Sequence, residues 1–448
     1  MRSCFARAGT QRSRRSKYVL LAVACTLGTA GLPALTAHAQ VTAGSPAFGP
    51  AQQVRTPRNA AGGDDALDAV ACPSTGDCVA GGSYDTEHGK IEPMTVTQFE
   101  GRWHRAGELR LPHDAAYDPG AAVTGVACAQ AGSCDAVGSY LASDSHPASG
   151  SNSEIGFDNH GFIATESDGR WSRARTVQPP RNAYRSGYGV TLTGVSCPRP
   201  GWCEAIGNYT DKSGRHEALA VTQVRGRWHR AVELVMPVHA AANPGASLTG
   251  ISCRRAGSCA AVGQYLTRAD TYASAGLVER TGRWGRATQL RPPRNSASSY
   301  SSVNQVACAA GGYCLSVGVY ELQGGGVSAL AVTEAAGRWA RATEINASPA
   351  GGTDAGLNGI GCAAAAMCYG AGGFDDAAGG LLAFALTWSR GGWSDPQVVS
   401  LPANAATGSQ AAALLNAVGC SSAGYCAAVG FYDQITTGQS LAMVTDRP

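Results

Sequence analysis

Leu192-Thr-Gly-Val-Ser-Cys-Pro-Arg-Pro-Gly-Trp-Cys-Glu-Ala-Ile-Gly-Asn-Tyr209 decides the architecture, because the chain spells a version of this stretch seven times. Its skeleton is an apolar residue, then Thr, Asn or Asp, usually a small residue, Val or Ile, and a small residue. Cys follows, then five residues, Cys, three residues, Gly, any residue, and Tyr or Phe. The paired cysteines are Cys72 and Cys78, Cys128 and Cys134, Cys197 and Cys203, Cys253 and Cys259, Cys308 and Cys314, Cys362 and Cys368, and Cys420 and Cys426, all with the same spacing. Successive first cysteines lie 56, 69, 56, 55, 54 and 58 residues apart. A near-constant period in this range means one supersecondary unit repeated along the chain.

Working outward, each unit holds four strand-like runs. In the third they are 192–197, 203–209, 218–224 and 228–235, short, β-branched and apolar on both sides, as suits strands sandwiched between neighbouring sheets. The last two runs are joined by Gly-Arg-Trp at 101–103, 169–171, 226–228, 282–284 and 337–339, and by Gly-Gly-Trp at 391–393. Glycine supplies the positive φ that such hairpins use. The expected fold is all-β, a seven-bladed β-propeller with four antiparallel strands per blade and one disulfide per blade. The seventh unit stops after 440–446 without a fourth run, but Phe48-Gly-Pro-Ala-Gln-Gln-Val54 aligns with Trp103-His-Arg-Ala-Gly-Glu-Leu109. The first strand should therefore complete the last blade, removing the open edges and making residues 40–448 a single domain.

Residues 1–39 read as a signal peptide: Arg2, Arg7, Arg12, Arg14, Arg15 and Lys17, an apolar run from Tyr18 to Leu35, then Ala37-His-Ala39. Ser13-Arg-Arg15 resembles a twin-arginine signal while Lys17 departs from it, which leaves the two export routes open. The chain has 35 basic and 32 acidic residues, and losing six basic residues with the leader leaves 29 against 32, a net charge of −3. That disfavours nucleic acid and anionic membrane as partners, and no later stretch is apolar enough to insert. The expected location is extracellular. Fourteen equally spaced cysteines in an exported chain read as seven disulfides. Their intervals are not those of zinc fingers, and no metal or cofactor is implied.

The innermost strands bring Asp68, Thr124, Thr193, Thr249, Asn304, Asn358 and Asn416 to equivalent places, as strand-end caps or as a polar ring at one channel mouth. One face of the disc carries the disulfide turns and the Gly-Arg-Trp hairpins. The other carries the connections between blades and the second-to-third loops, which vary more and are where binding is expected. The connections share a Pro-x-(Asn/Asp) pattern, with Arg58-Asn59, His113-Asp114, Arg181-Asn182, Arg294-Asn295 and Asn404, and His239 in a variant. Asn or Asp there can cap the following turn. It can equally bond sugar hydroxyls, with Tyr117, Tyr184, Tyr188 or Tyr300 as flat surfaces. The largest insertion, Leu141 to His160, holds Asp144, His146, Asn152, Glu154, Asp158 and His160 and suits a surface loop, a protein partner or a cation. The recurring Tyr84, Tyr140, Tyr209, Tyr265, Tyr320, Phe374 and Tyr432 read as packing between blades. No nucleophile elbow, zinc helix or phosphate loop is present, and carboxylates from different blades are the one route to catalysis.

Ala80-Gly-Gly-Ser-Tyr84 followed by Gly101-Arg-Trp103 resembles the kelch repeat, and Ser167-Asp-Gly-Arg-Trp171 is similar to a shortened Asp-box of sialidases. Over the mature chain the pattern resembles exported, disulfide-bonded propellers of actinomycetes, including the lectin-like propeller subunits of umbrella toxin particles. That resemblance implies non-catalytic binding of cell-surface glycans or another cell-envelope component, in company with other exported proteins. A glycoside hydrolase or polysaccharide lyase, and a scaffold for protein partners, are the alternatives.

Overall fold

The computed structural model describes residues 48–143, 159–184, 189–309, 311–349, 352–364, 367–389 and 391–447. The expected leader, residues 144–158 of the long insertion, and Tyr188 lie outside them.

The described residues form seven antiparallel sheets, the blades of a seven-bladed β-propeller. Blade 3 shows the plan: Thr191–Arg199 is innermost, followed by Trp202–Thr210 and His216–Val224. Each innermost strand packs against those of both neighbouring blades, and the ring closes where Ala66–Ser74 of blade 1 meets Ala413–Cys420 of blade 7. The second strand is buried on both of its faces from Trp202 to Gly207, as a strand covered by two sheets must be. The apolar core falls into seven clusters, each drawn from two adjacent blades. Burying one large apolar side chain there contributes about 1.5–3 kcal/mol.

The glycine two places before each buried aromatic has a specific cause. The innermost strand is bulged between Leu192 and Gly194, and a Cβ on Gly207 would overlap the Thr191 carbonyl oxygen. Gly82 and Gly430 face the same obstruction in blades 1 and 7. At the crowded axis a Cβ on Gly359 would lie 2.7 Å from the Ala417 Cα, so the small residues there are set by strand approach.

The disulfides form as the spacing predicts, one in each blade, across the turn from first to second strand. In chain order, Cys72 is bonded to Cys78, Cys128 to Cys134, Cys197 to Cys203 and Cys253 to Cys259. Cys308 is bonded to Cys314, Cys362 to Cys368 and Cys420 to Cys426. None joins one blade to another. Closing so short a loop contributes about 2 kcal/mol in the chain-entropy model.

The fourth strand departs from the continuous run that the sequence suggests. In blade 3 it is two pieces, Arg227–Trp228 and Val232–Leu234, both paired to the third strand. Between them the chain turns to the preceding blade, where Ala231 N donates to Gln178 O at 2.9 Å. The fourth strand thus serves two sheets, and the break repeats in blade 1 between Arg102–Trp103 and Gly107–Glu108.

Blade 7 is completed as expected. Gln52–Gln53 pairs with Ser440–Arg447 in the register Gln52 to Val444 and Gln53 to Met443. Gly49 N donates to Asp446 O at 3.0 Å, and Val54 N to Ala442 O at 2.9 Å. Phe48, in the place tryptophan takes elsewhere, is buried edge-on to Tyr369 with ring centroids 6.1 Å apart.

Candidate functional site

The two faces differ as their loops do. On one, the hairpins rest on the disulfide turns, with Gly101 N bonded to Gly76 O and Gly226 N to Gly201 O. On the other, the connections between blades lie against the second-to-third loops, with Glu87 N bonded to Asn59 O and Lys212 N to Asn182 O.

On this loop face a polar clasp caps the buried tyrosines. The Tyr209 hydroxyl donates to Asn182 Oδ1 (3.1 Å) and Glu233 Oε2 (2.8 Å), and Asn182 Nδ2 donates to the same Glu233 oxygen (2.7 Å). Blade 1 repeats it with Tyr84, Asn59 and Glu108, and blade 5 joins Tyr320, Asn295 and Glu344. Variants use Tyr140, Asp114 and Thr176 in blade 2, Tyr265, His239 and Gln289 in blade 4, and Tyr432, Asn404 and Gln53 in blade 7. The tyrosine rings are wholly buried, so each phenol needs a partner at the surface end of its ring. Blade 6 has Phe374 for the tyrosine and Val398 for the outer-strand partner, losing donor and acceptor together.

A second repeated contact stitches blade to blade. The arginine two places after the hairpin tryptophan donates to the carbonyl just before the proline of the preceding connection. The pairs are Arg105 to Thr56 O, Arg173 to Leu111 O, Arg230 to Pro179 O, Arg286 to Met236 O and Arg341 to Pro292 O, at 2.6–3.0 Å.

Between these contacts open two clefts of about 350 and 400 Å³. The first, between blades 1 and 2, is lined by Glu92, Glu108, Arg110, Pro112, Pro119 and Arg173, among others. The second, between blades 3 and 4, has Glu217, Glu233, Val235, Pro237, Pro244 and Arg286 in the same places, joined by Arg215 and Arg268. Burial, and then the Glu108 charge, pushes the Glu92 carboxyl up to about 7. Burial and Glu233 do the same to Glu217, against Arg215 with its Nε 3.7 Å away. Asp118 Oδ1 and Asn243 Oδ1 accept from Ile91 N and His216 N, pinning the two connections alike.

At the axis, the expected polar residues sit at the strand bulges and bond to the next blade. Thr124 Oγ1 donates to Leu192 O (2.7 Å), Thr249 Oγ1 to Val303 O (2.8 Å) and Asn304 Nδ2 to Leu357 O (2.9 Å). Asn358 Nδ2 reaches Leu415 O (3.4 Å), and Asn416 Nδ2 reaches Leu67 O (3.0 Å) and Asp68 Oδ1 (3.2 Å). Thr193 Oγ1 bonds Ile206 O within its own blade. This belt holds blades together with groups a ligand would otherwise use.

The opposite face buries carboxylates beneath the hairpin tryptophans. Trp103 Nε1 donates to Asp446, Trp228 Nε1 to Asp135 and Trp284 Nε1 to Glu204, each in the preceding blade. Burial pushes Glu204 and Glu279 each up to about 7, and Glu279 adds its charge to the shift at Glu204. Asp135 also lies against Cys197 and Cys203, the one group of metal-ligand composition among the described residues, but both sulfurs are held in a disulfide.

The residues singled out in the connections thus divide. Asn59, Asp114, Asn182, His239, Asn295 and Asn404 are members of the clasps. Arg58, His113, Arg181 and Arg294 are exposed at the preceding position of the turn. Tyr117 is 77% exposed with the Lys90 ammonium 3.5 Å over its ring, and Tyr184 is 44% exposed. The cleft carboxylates and the stitching arginines were not among the candidates. Their signals were present in Trp-x-Arg and in Pro112-His-Asp-Ala-Ala-Tyr-Asp-Pro-Gly120 against Pro237-Val-His-Ala-Ala-Ala-Asn-Pro-Gly245.

Fold and loop geometry together define a disulfide-bonded, seven-bladed propeller with paired clefts on its loop face. No family model matches the chain and no curated protein matches it. Solved structures do. A protein of unknown function from Dyadobacter fermentans is 11% identical, over 89% of this chain and 98% of its own, with a TM-score of 0.42. An ulvan lyase, from a new family of polysaccharide lyases, is 8% identical over 85% and 94%, with a TM-score of 0.49. Trypanosoma rangeli sialidase is 8% identical over 88% of this chain, which spans 59% of that protein, with a TM-score of 0.45. No residue here takes a role from them.

Proposed function

We propose that this propeller is an exported, non-catalytic recognition module that binds cell-surface glycans through its two loop-face clefts. The observation that carries the reading is duplication. The same lining of two glutamates, two prolines and a stitching arginine is built at blades 1/2 and again at blades 3/4. Two open, polar clefts on one rigid disc suit a polymer displaying the same unit many times, where avidity replaces tight single-site binding. Acceptor oxygens and guanidinium donors at the cleft walls match sugar hydroxyls. The seven disulfides fit an oxidising, extracellular setting, and the target-binding subunit of an exported toxin assembly is the role proposed there.

One observation favours a second reading, a glycoside hydrolase or lyase. Glu92, held up to about 7 beside Glu108, is in the range of a general acid. A glycan array and a turnover assay with the wild type and E92Q/E217Q separate the readings. Recognition predicts binding that drops at least tenfold in the double variant and no release of reducing or unsaturated ends. Turnover abolished by E92Q would move the assignment to the enzyme. Silence on all glycans, with the variant retrieving a defined protein partner as well as the wild type does, would leave a scaffold.

A further inference from the structure

The hairpin face of the disc, opposite the clefts, is charged unevenly. In blades 3, 4 and 5 its disulfide turns and hairpins, residues 198–202, 224–228, 254–258, 280–284, 309–313 and 335–339, hold eight arginines and no acidic residue. The same segments of blades 1 and 2, residues 73–77, 99–103, 129–133 and 167–171, hold two arginines against Asp77, Glu100 and Asp168. The concentration arises although residues 40–448 sum to −3.

Two of the eight arginines are held from within. Arg254 Nη2 donates to the wholly buried Glu334 of blade 5, and Arg280 Nη2 donates to Ala336 O in the next hairpin. These contacts set the hairpins of blades 4 and 5 side by side, while the Trp284 bond to Glu204 ties blade 4 to blade 3. The other six are Arg199, Arg225, Arg227, Arg255, Arg283 and Arg338. All are exposed, and none has a hydrogen bond or ion pair among the described residues. Arg227, Arg283 and Arg338 each precede a half-buried tryptophan, so every one of these hairpins sets a free cation beside an incompletely covered ring. Like charges gathered in this way repel one another and do nothing for the fold. Counter-charge supplied from outside relieves that repulsion.

We propose that the hairpin face of blades 3 to 5 is a second binding surface, separate from the loop-face clefts, for a linear polysaccharide bearing repeated oxyanion groups. Guanidinium forks pair with such groups in bidentate fashion. One exposed arginine recurs at the same place in each of three successive hairpins, which suits a ligand whose charge also recurs along its length. A flat anionic membrane would meet the exposed Glu100 and Asp168 on the same face. A flexible strand can follow the arginines alone around the arc. The net negative charge of residues 40–448 works against nucleic acid, whose binding rests on dense phosphate neutralisation.

The test is binding to immobilised dextran sulfate and polygalacturonate, with neutral dextran as the blank and single-stranded DNA and phosphatidylserine vesicles as rivals. The wild type should bind at least one of the two charged polysaccharides. R227E/R283E should weaken that binding about tenfold or more, whereas R102E/R170E, the same change on blades 1 and 2, should shift it by less than about twofold. No binding to either polysaccharide, tighter binding to DNA or vesicles, unchanged binding in R227E/R283E, or an equal loss in R102E/R170E overturns the surface. Should R227E/R283E not fold, phenylglyoxal labelling of the wild type with and without the bound polysaccharide decides. Protection of Arg227 and Arg283 over Arg102 and Arg170 supports the surface, and uniform or absent protection overturns it.

Discussion

Replacing Tyr209 with Phe removes one oxygen and leaves the packing of a wholly buried ring unchanged, so it isolates the clasp. The lost hydroxyl serves Asn182 at 3.1 Å and Glu233 at 2.8 Å. A hydrogen bond to a charged group contributes about 1.5–3 kcal/mol, but Glu233 is exposed and regains water, which places the cost at about 1–1.5 kcal/mol. Glu233→Val costs its own share, and with both changes blade 3 carries the Phe and Val that blade 6 has at 374 and 398. The double variant should therefore recover about 1 kcal/mol relative to the sum of the singles. Urea unfolding followed by tryptophan fluorescence, with m-values compared, measures the cycle. Additivity within about 0.5 kcal/mol would refute the reasoning, because phenol and carboxylate would then not be coupled.

Two further outcomes are expected. Glu204 and Glu279 are held at about 7 when folded, against 4.5 in the open chain, so the folded state retains protons that the unfolded state has released. Their contribution to stability is full below about 4.5 and is lost as pH rises through about 7. Tm measured across this window should fall less steeply in E204Q/E279Q. Arg173→Leu removes the 2.7 Å bond to Leu111 O between blades 1 and 2 and should cost about 1 kcal/mol by the same unfolding assay, while Arg110→Leu, on the same cleft, changes stability by less than half as much.

The ring and its closure were legible because repetition turns weak local signals into one strong one. Seven copies of Cys-x5-Cys and six hairpins leave little choice of topology, and the Phe48–Val54 segment supplies the strand blade 7 lacks. The clasp was half legible. Asn182 stood out by its pattern, but its partners Tyr209 and Glu233 lie 27 and 51 residues away, and no local rule brings them together. The broken fourth strand was hidden for a related reason: Ala231 bonds to Gln178 in another sheet, which pairing within a blade does not anticipate. The clefts were missed because the two matching linings stand two blades apart. A comparison of each unit with the next dilutes the match between Pro112–Gly120 and Pro237–Gly245.

Gln52 is synthesised long before Val444, the residue it faces in the completed sheet. During translation the early segment has no mate until Ser440–Arg447 has emerged. Folding therefore cannot proceed to completion from one end. Its last step is a ring closure that joins two strands far apart in the chain, and trimming between Phe48 and Val54 would return the finished disc to that unsealed state.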